Sequence, residues 1–226
     1  MPSPRLKLVV SSLFIMWLFF VLASFFAVQK PFTAANALAI GRAWLDLLAA
    51  GWLGLIALAL GSWLLSHLRP TGSPPLESLI LGVGLGLGSL GLLNFGLGLA
   101  GLFRPVAAYA AAIILTLVLW PQLMRLYRRW RQWRPANPPS WPVGFYLLAV
   151  AGLTLPVVLL PPSDWDGLFY HLTGPKLYLQ AGRIVGGIDI PHLSFPSLLE
   201  MLFIWAILLR SDIAAKLLHA GFALLL

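Results

Sequence analysis

The feature that most constrains this chain is a series of uncharged apolar runs as long as a membrane is thick. Residues 8–28, LVVSSLFIMWLFFVLASFFAV, hold 21 residues without a charge. At about 1.5 Å per residue, such a run crosses a hydrocarbon core of about 30 Å as a helix. Further runs cover 47–67, 79–102, 106–124 and 142–160. A sixth reaches from Pro196 to Leu209, and a seventh begins near Leu217 and is still apolar at Leu226. Hydrocarbon tolerates only chains that satisfy their own backbone. The expectation is therefore an all-α, polytopic transmembrane helix bundle of six spans plus a truncated seventh. That last run has ten residues, about half a bilayer, so a C-terminal remainder or a partner subunit is expected to complete the bundle.

Composition excludes the alternatives. The chain is 60% hydrophobic and 10% charged, whereas soluble domains carry about 25% charged residues. An ordinary soluble, disordered or coiled-coil protein is ruled out. With no cysteine there is no disulfide, thiolate metal site, iron–sulfur cluster or cysteine nucleophile. Ala35-Asn36-Ala37 offers a signal-cleavage pattern. A signal's apolar region is about 7–15 residues, so the longer first run points to an uncleaved anchor.

The net charge of +8 reads first as orientation. With the N-terminus cytoplasmic and strict alternation, Arg5, Lys7, Arg69, Arg125, Arg128, Arg129, Arg131, Arg134, Arg210 and Lys216 fall inside. Lys30, Arg42, Arg104, Lys176 and Arg183 fall outside, a split of 10 to 5. Five arginines lie in RLYRRWRQWR, within a loop at 125–135. Interleaved with Tyr127, Trp130 and Trp133, they suit stacking on nucleic acid bases or binding anionic headgroups. A place between two spans favours lipid and argues against nucleic acid.

Several motifs have structural explanations. Gly86-Leu-Gly88-Ser-Leu-Gly91 matches a dinucleotide fingerprint but lacks the strand, soluble helix and distant acid that would give it meaning. Gly82/Gly86 and Gly84/Gly88, spaced by four, suit close helix packing. Asn94 is expected to hydrogen-bond a neighbouring helix. Pro121 and Pro156 are expected to kink or end their spans, and Asp46 to cap the second. His67, Glu77, Asp212 and His219 fall near the cytoplasmic side without metal-ligand spacing, so no cofactor is predicted and a divalent metal has no support from ligand spacing.

The segment 161–196, PPSDWDGLFYHLTGPKLYLQAGRIVGGIDIPHLSFP, is the outer loop between spans five and six. Leu168, Leu172 and Leu179 recur at helical intervals, predicting short interfacial helices with one face in the lipid boundary. Gly174-Pro175 is expected to break the run, with Pro175 opening a second helix that Gly182, Gly186 and Gly187 end. Ser163-x-x-Asp166 has the form of a capping box, and Asp164 is itself a candidate cap.

The string WDGLFYHLTGPKLYLQAGRI resembles the first outer loop of bacterial GT-C class membrane glycosyltransferases, more narrowly the protein mannosyltransferase-like and aminoarabinose transferase-like group. Asp166 matches that loop's first acidic residue, Tyr170 its tyrosine, and Leu177 to Gly182 the end of its surface helix. Gly167 stands where a second acidic residue is usual. The likeness covers about residues 142–226, leaving 1–141 as a four-span N-terminal extension. It implies a bacterial inner-membrane enzyme of the cell envelope that moves a sugar from a polyprenyl-phosphate donor to an acceptor on the extracytoplasmic face. A carboxylate would take the acceptor's proton and cations would stabilise the departing phosphate. The resemblance makes Asp166 the candidate base, with Asp164 as its possible substitute. Lys176 and Arg183 are candidates for the phosphate, Tyr170, His171 and His192 for orienting substrate. Glu200, costly in a span, is expected to face the bundle or the site. The alternative is a non-catalytic polytopic membrane protein, a structural subunit or remnant of such an enzyme.

Overall fold

The computed structural model describes residues 4–29, 33–68, 75–132, 140–194 and 197–223. Lys30, Arg69, Trp133, Arg134, Pro196 and Leu226 lie outside these, as do the side chains of Arg5 and Lys7. All regular structure among the described residues is helical. The chain divides into two compact units, 1–42 and 43–226. The division does not fall at 141/142, because helices on either side of that point pack together within the second unit.

The first unit holds α1, Pro4–Gln29, and the start of α2, Ala34–Leu68. The α1 side chains from Val9 to Val28 are largely exposed apolar groups. Thr33 opens α2, its carbonyl accepting from the Asn36 and Ala37 N–H groups.

In the second unit α2 continues alongside α3, Pro75–Leu99. A Cβ on Gly61 would collide with the Gly82 carbonyl oxygen, and one on Gly86 with the Ala57 carbonyl oxygen. Backbone meets backbone there, the reason small residues line membrane helix contacts. Of the two glycine pairs, Gly82/Gly86 forms this contact, whereas nothing lies within 4 Å of a Cβ on Gly84 or Gly88.

A tight turn with Gly101 at φ 74° leads from α3 to α4, Pro105–Val118. The chain then bends by 61° into α5, Trp120–Gln132. Pro121 sits in the first turn of α5, where it has no N–H to lose to the preceding helix. The basic stretch expected as a loop is thus helical through Gln132. Next comes α6, Trp141–Val158, which ends two residues after Pro156 and buries none of its residues.

The segment 161–196 contains a π-helical turn, Gly167–His171, and α7, Thr173–Ala181. Leu172 and Tyr178 are buried, so this segment turns a face to protein as well as to its surroundings. Gly174 and Pro175 lie in the first turn of α7, and Gly182 ends it at φ 68°. Two backbone bonds fasten that end to the α3–α4 turn, Phe103 N–H to Gly182 O at 3.1 Å and Ile184 N–H to Gly98 O at 3.2 Å.

A short 3-10 turn, Pro191–Ser194, precedes α8, Leu198–Leu209, and α9, Asp212–Ala223, follows. Residues Glu200 to Ala206 of α8 are buried without interruption. Asn94 Nδ2 donates to Met201 O at 2.6 Å, the interhelical bond expected of it. Trp205 Nε1 donates to Ala108 O at 3.2 Å, and Tyr109 Oη to Leu209 O at 2.5 Å.

Among the described residues, three helices are long and apolar enough to cross a membrane, Ala34–Leu68, Leu76–Leu99 and Trp141–Val158. Counting the bent pair α4–α5 makes up to four. With 12 residues, α8 is about 18 Å long, short of a hydrocarbon core. Among the described residues the structure thus carries three or four helices of spanning length, where the apolar runs led one to expect six and the start of a seventh.

Replacing Gly86 by Ala should force α2 from α3 and cost about 1–3 kcal/mol. Gly84→Ala should change stability by no more than about 0.5 kcal/mol. Unfolding midpoints of the two variants in the same detergent measure the difference.

Candidate functional site

Asp164 begins the site by capping it. Its Oδ2 accepts the Gly167 N–H at 2.7 Å. A Cβ on Gly167 would press on that carboxylate, a local reason for glycine where the resemblance leads one to expect a second acid. The capping role weighed for Asp164 is the one the geometry assigns; its carboxylate is engaged and Asp166 is left as the candidate base.

The following turn is wider than an α-turn, with Leu172 N–H bonding to Gly167 O at 2.9 Å. Such π-turns occur often at functional sites. Here the turn puts the Tyr170 and His171 rings 4.1 Å apart. Tyr170 also stacks on His192 at 4.8 Å with an interplanar angle of 14°. Trp165 and Phe169 stack at 4.5 Å, with Phe169 edge-on to His192. One face of the loop is thus a continuous run of rings.

His171 reaches inward. Its Nδ1 lies 2.6 Å from Glu200 Oε1, an imidazole N–H donating to a carboxylate. Glu200 is 8% exposed and faces the loop from the first turn of α8, as an acid in that position should. Phe203, one turn on, meets His171 edge-on at 6.3 Å. Asp166 sits just before the π-turn with its side chain exposed, and no hydrogen bond or ion pair among the described residues engages it. Desolvation foremost, then the Asp166 and Glu200 carboxylates, push the Tyr170 phenol above its ordinary value of 10.0. Tyr170 is therefore neutral at physiological pH and able to donate a hydrogen bond. Burial, then Glu200, shifts Tyr178 the same way.

The remaining cations behave differently from their expected roles. Lys176 Nζ is 2.6 Å from Asp212 Oδ2. Arg183 is exposed beyond the end of α7 beside the α3–α4 turn, away from the π-turn. The structure brings Tyr170, His171, His192 and Glu200 together with Asp166 adjacent, and leaves Arg183 out.

Sequence reasoning missed α9. Asp212, Lys216 and His219 fall at i, i+4 and i+7, one helix stripe, and that spacing was the available signal. Asp212 holds Lys176, while Lys216 Nζ donates to Leu160 O at 2.8 Å, just past the end of α6. His219 stacks on Phe203 at 5.8 Å and lies edge-on to His171 at 6.3 Å. Asp46 was also misread. Rather than a cap, it is a buried side chain inside α2 that accepts from Ser211 Oγ at 2.7 Å and from Arg210 Nε at 3.3 Å.

These contacts bear on sidedness. Lys176 and Asp212, expected on opposite faces of the membrane, are ion-paired. Arg210 is likewise paired with Asp46, and Lys216 is bonded beside the end of α6. Strict alternation at α8 does not lead one to expect these contacts.

In comparisons with family models, curated proteins and solved structures, nothing matches this chain.

Truncating His171 to Ala should cost about 1–3 kcal/mol, because the buried Glu200 carboxylate loses its donor. A double-mutant cycle with Glu200→Gln, read by unfolding in mixed micelles, should return a coupling of about 0.5–3 kcal/mol. Cysteines introduced singly at Lys176 and Asp212 should react with an impermeant maleimide from the same side. Labelling from opposite sides would uphold strict alternation.

Proposed function

We propose that this chain acts as a membrane glycosyltransferase. It transfers a sugar from a polyprenyl-phosphate carrier to an acceptor hydroxyl on the extracytoplasmic face, with Asp166 as the base. The observation that carries this reading is the approach of an unengaged, exposed carboxylate, Asp166 at the start of the π-turn, to a neutral phenol within it, Tyr170. Behind them, the His171–Glu200 bond holds the turn against α8. The loop residues that carry the family resemblance are the ones gathered there.

The roles follow from charge. Asp166 accepts the acceptor's proton as the hydroxyl oxygen attacks the anomeric carbon. Tyr170 donates to a substrate oxygen. His171 is fixed by Glu200 and positions the turn. Lys176 meets the leaving phosphate only by exchanging its Asp212 partner, and Arg183 is free to approach from the α7 end.

In the finer arrangement we favour, α1, α2, α3, α4 with the start of α5, and α6 cross a bacterial inner membrane. The α8–α9 hairpin stays on the outer face with the 161–196 loop. This carries Arg210 and Lys216 outward, and the basic split becomes 8 to 7. The arginine cluster at 125–134 then sets orientation, with the N-terminus cytoplasmic. A non-catalytic subunit is the second reading, favoured by the engagement of Asp164 and Lys176 in structural bonds.

The test is transfer of radiolabelled sugar from the lipid carrier by the intact protein. Asp166→Asn should lower the rate by about 10²–10⁴-fold while leaving the fold unchanged. Full activity in that variant would remove Asp166 as the base, and absence of transfer by the wild type would favour the non-catalytic subunit.

A further inference from the structure

The basic helix α5 does something the loop site does not explain. Leu119, Gln122, Leu123 and Leu126 form one stripe at helical spacing, and it is turned toward the core. Continued one turn further, the same stripe reaches Trp130, which is 69% exposed. Tyr127 flanks it, also exposed. The apolar face of α5 thus outruns the protein that covers its first half, and what emerges is aromatic, the residue class that settles at membrane interfaces.

The rest of the circumference carries Arg125, Arg128 and Arg131, with Arg129 at the edge of the apolar stripe, all exposed. None of the four reaches a carboxylate among the described residues, where the ion pairs of basic side chains belong to His171, Lys176 and Arg210. The chain has no acidic residue between Glu77 and Asp164, so neither α5 nor the helices on either side of it in sequence supply a counter-charge. Arg128, Arg131 and Gln132 line a depression of about 240 Å³. Two guanidiniums one turn apart offer paired N–H forks suited to a phosphate. Arg131 is also held over the Tyr127 ring at 6.0 Å. Finally, the 61° bend from α4 turns α5 away from the direction of a crossing helix.

We propose that the arginine-bearing part of α5 lies in the headgroup layer and that Arg128 and Arg131 clamp the phosphate of an anionic phospholipid, with Trp130 and Tyr127 seated at the acyl boundary. The occupant is a lipid because the stripe buried against the core runs out into Trp130 at the end of a helix that follows a bent membrane-crossing segment, with Arg125, Arg128 and Arg131 turned away from that stripe. That amphipathic division matches an interface, whereas a base-stacking surface interleaves the two toward one strand. The clamp is independent of the glycosyltransferase reading and stands or falls without it.

The experiment uses the full chain in vesicles of phosphatidylcholine with a minor fraction of phosphatidylglycerol. Spin-labelled phosphatidylglycerol and phosphatidylcholine report the relative association of each lipid. The wild type should select the anionic lipid by about fivefold or more, weakening as salt is raised. Arg128→Gln with Arg131→Gln should lower that selectivity by at least about fivefold. The corresponding Arg→Lys pair should retain part of it, and Arg104→Gln, at the other end of α4, should leave it unchanged. No lipid preference in the wild type, or an undiminished preference in the Gln pair, would overturn the proposal. An Arg→Lys pair equal to wild type would remove the clamp. Displacement of the labelled lipid by single-stranded RNA that binds the solubilised chain would replace the lipid with nucleic acid.

Discussion

Everything in the second unit turns on the burial of α8. A helix enclosed by others cannot leave a polar group unpaired, because an unsatisfied donor or acceptor away from water costs about 1–3 kcal/mol. Three neighbours meet α8 with a specific bond. Asn94 on α3 donates to Met201 O, Tyr109 on α4 to Leu209 O, and His171 in the loop to Glu200. Gly91 supplies the space, since a Cβ there would stand 2.9 Å from the Leu198 carbonyl oxygen. The same enclosure that stabilises α8 fixes the loop, because Glu200 accepts from the loop's own histidine.

That dependence explains which features were legible in the sequence. The Gly82/Gly86 contact and the Asn94 bond were readable because four-residue spacing and a polar residue in an apolar run each admit few explanations. Their partners, Gly61 and Met201, were not readable, since spacing within one helix says nothing about which helix it meets. Asp46 was misjudged for a different reason. Dividing the chain into spans of bilayer length started the second span too late, and a residue inside a 35-residue helix was taken for its cap. The loop's glycines and Asp164 were legible because turn chemistry is local. The α9 stripe was hidden because an apolar run was read as the start of a crossing helix, leaving its Asp, Lys and His without a purpose.

The charges of α9 have one once the hairpin is seen. An Asp at the first turn and a Lys in the middle would be a liability in hydrocarbon. Facing the loop, Asp212 neutralises Lys176, and the Lys216 ammonium donates to the Val157 and Leu160 carbonyls at the end of α6. Cations at helix C-termini are also favoured by the helix dipole. Three segments far apart in sequence, α6, α7 and α9, are held together by charges that a purely apolar bundle would not carry.

The two polar layers of the second unit consequently lie at opposite ends of α4. Tyr109, in its first turn, bonds the end of α8 near the paired Asp46 and Arg210, while the arginines of α5 follow its last turn. The layers solve the same electrostatic problem in opposite ways. At the hairpin end, each of Lys176, Arg210 and Lys216 has found an acid or a carbonyl within the chain. At the α5 end, no acid is supplied across the whole stretch from Glu77 to Asp164. A chain that neutralises its cations in one layer and leaves four bare in the other reserves the second layer for an anion from outside, and the headgroup phosphate is the anion a membrane provides.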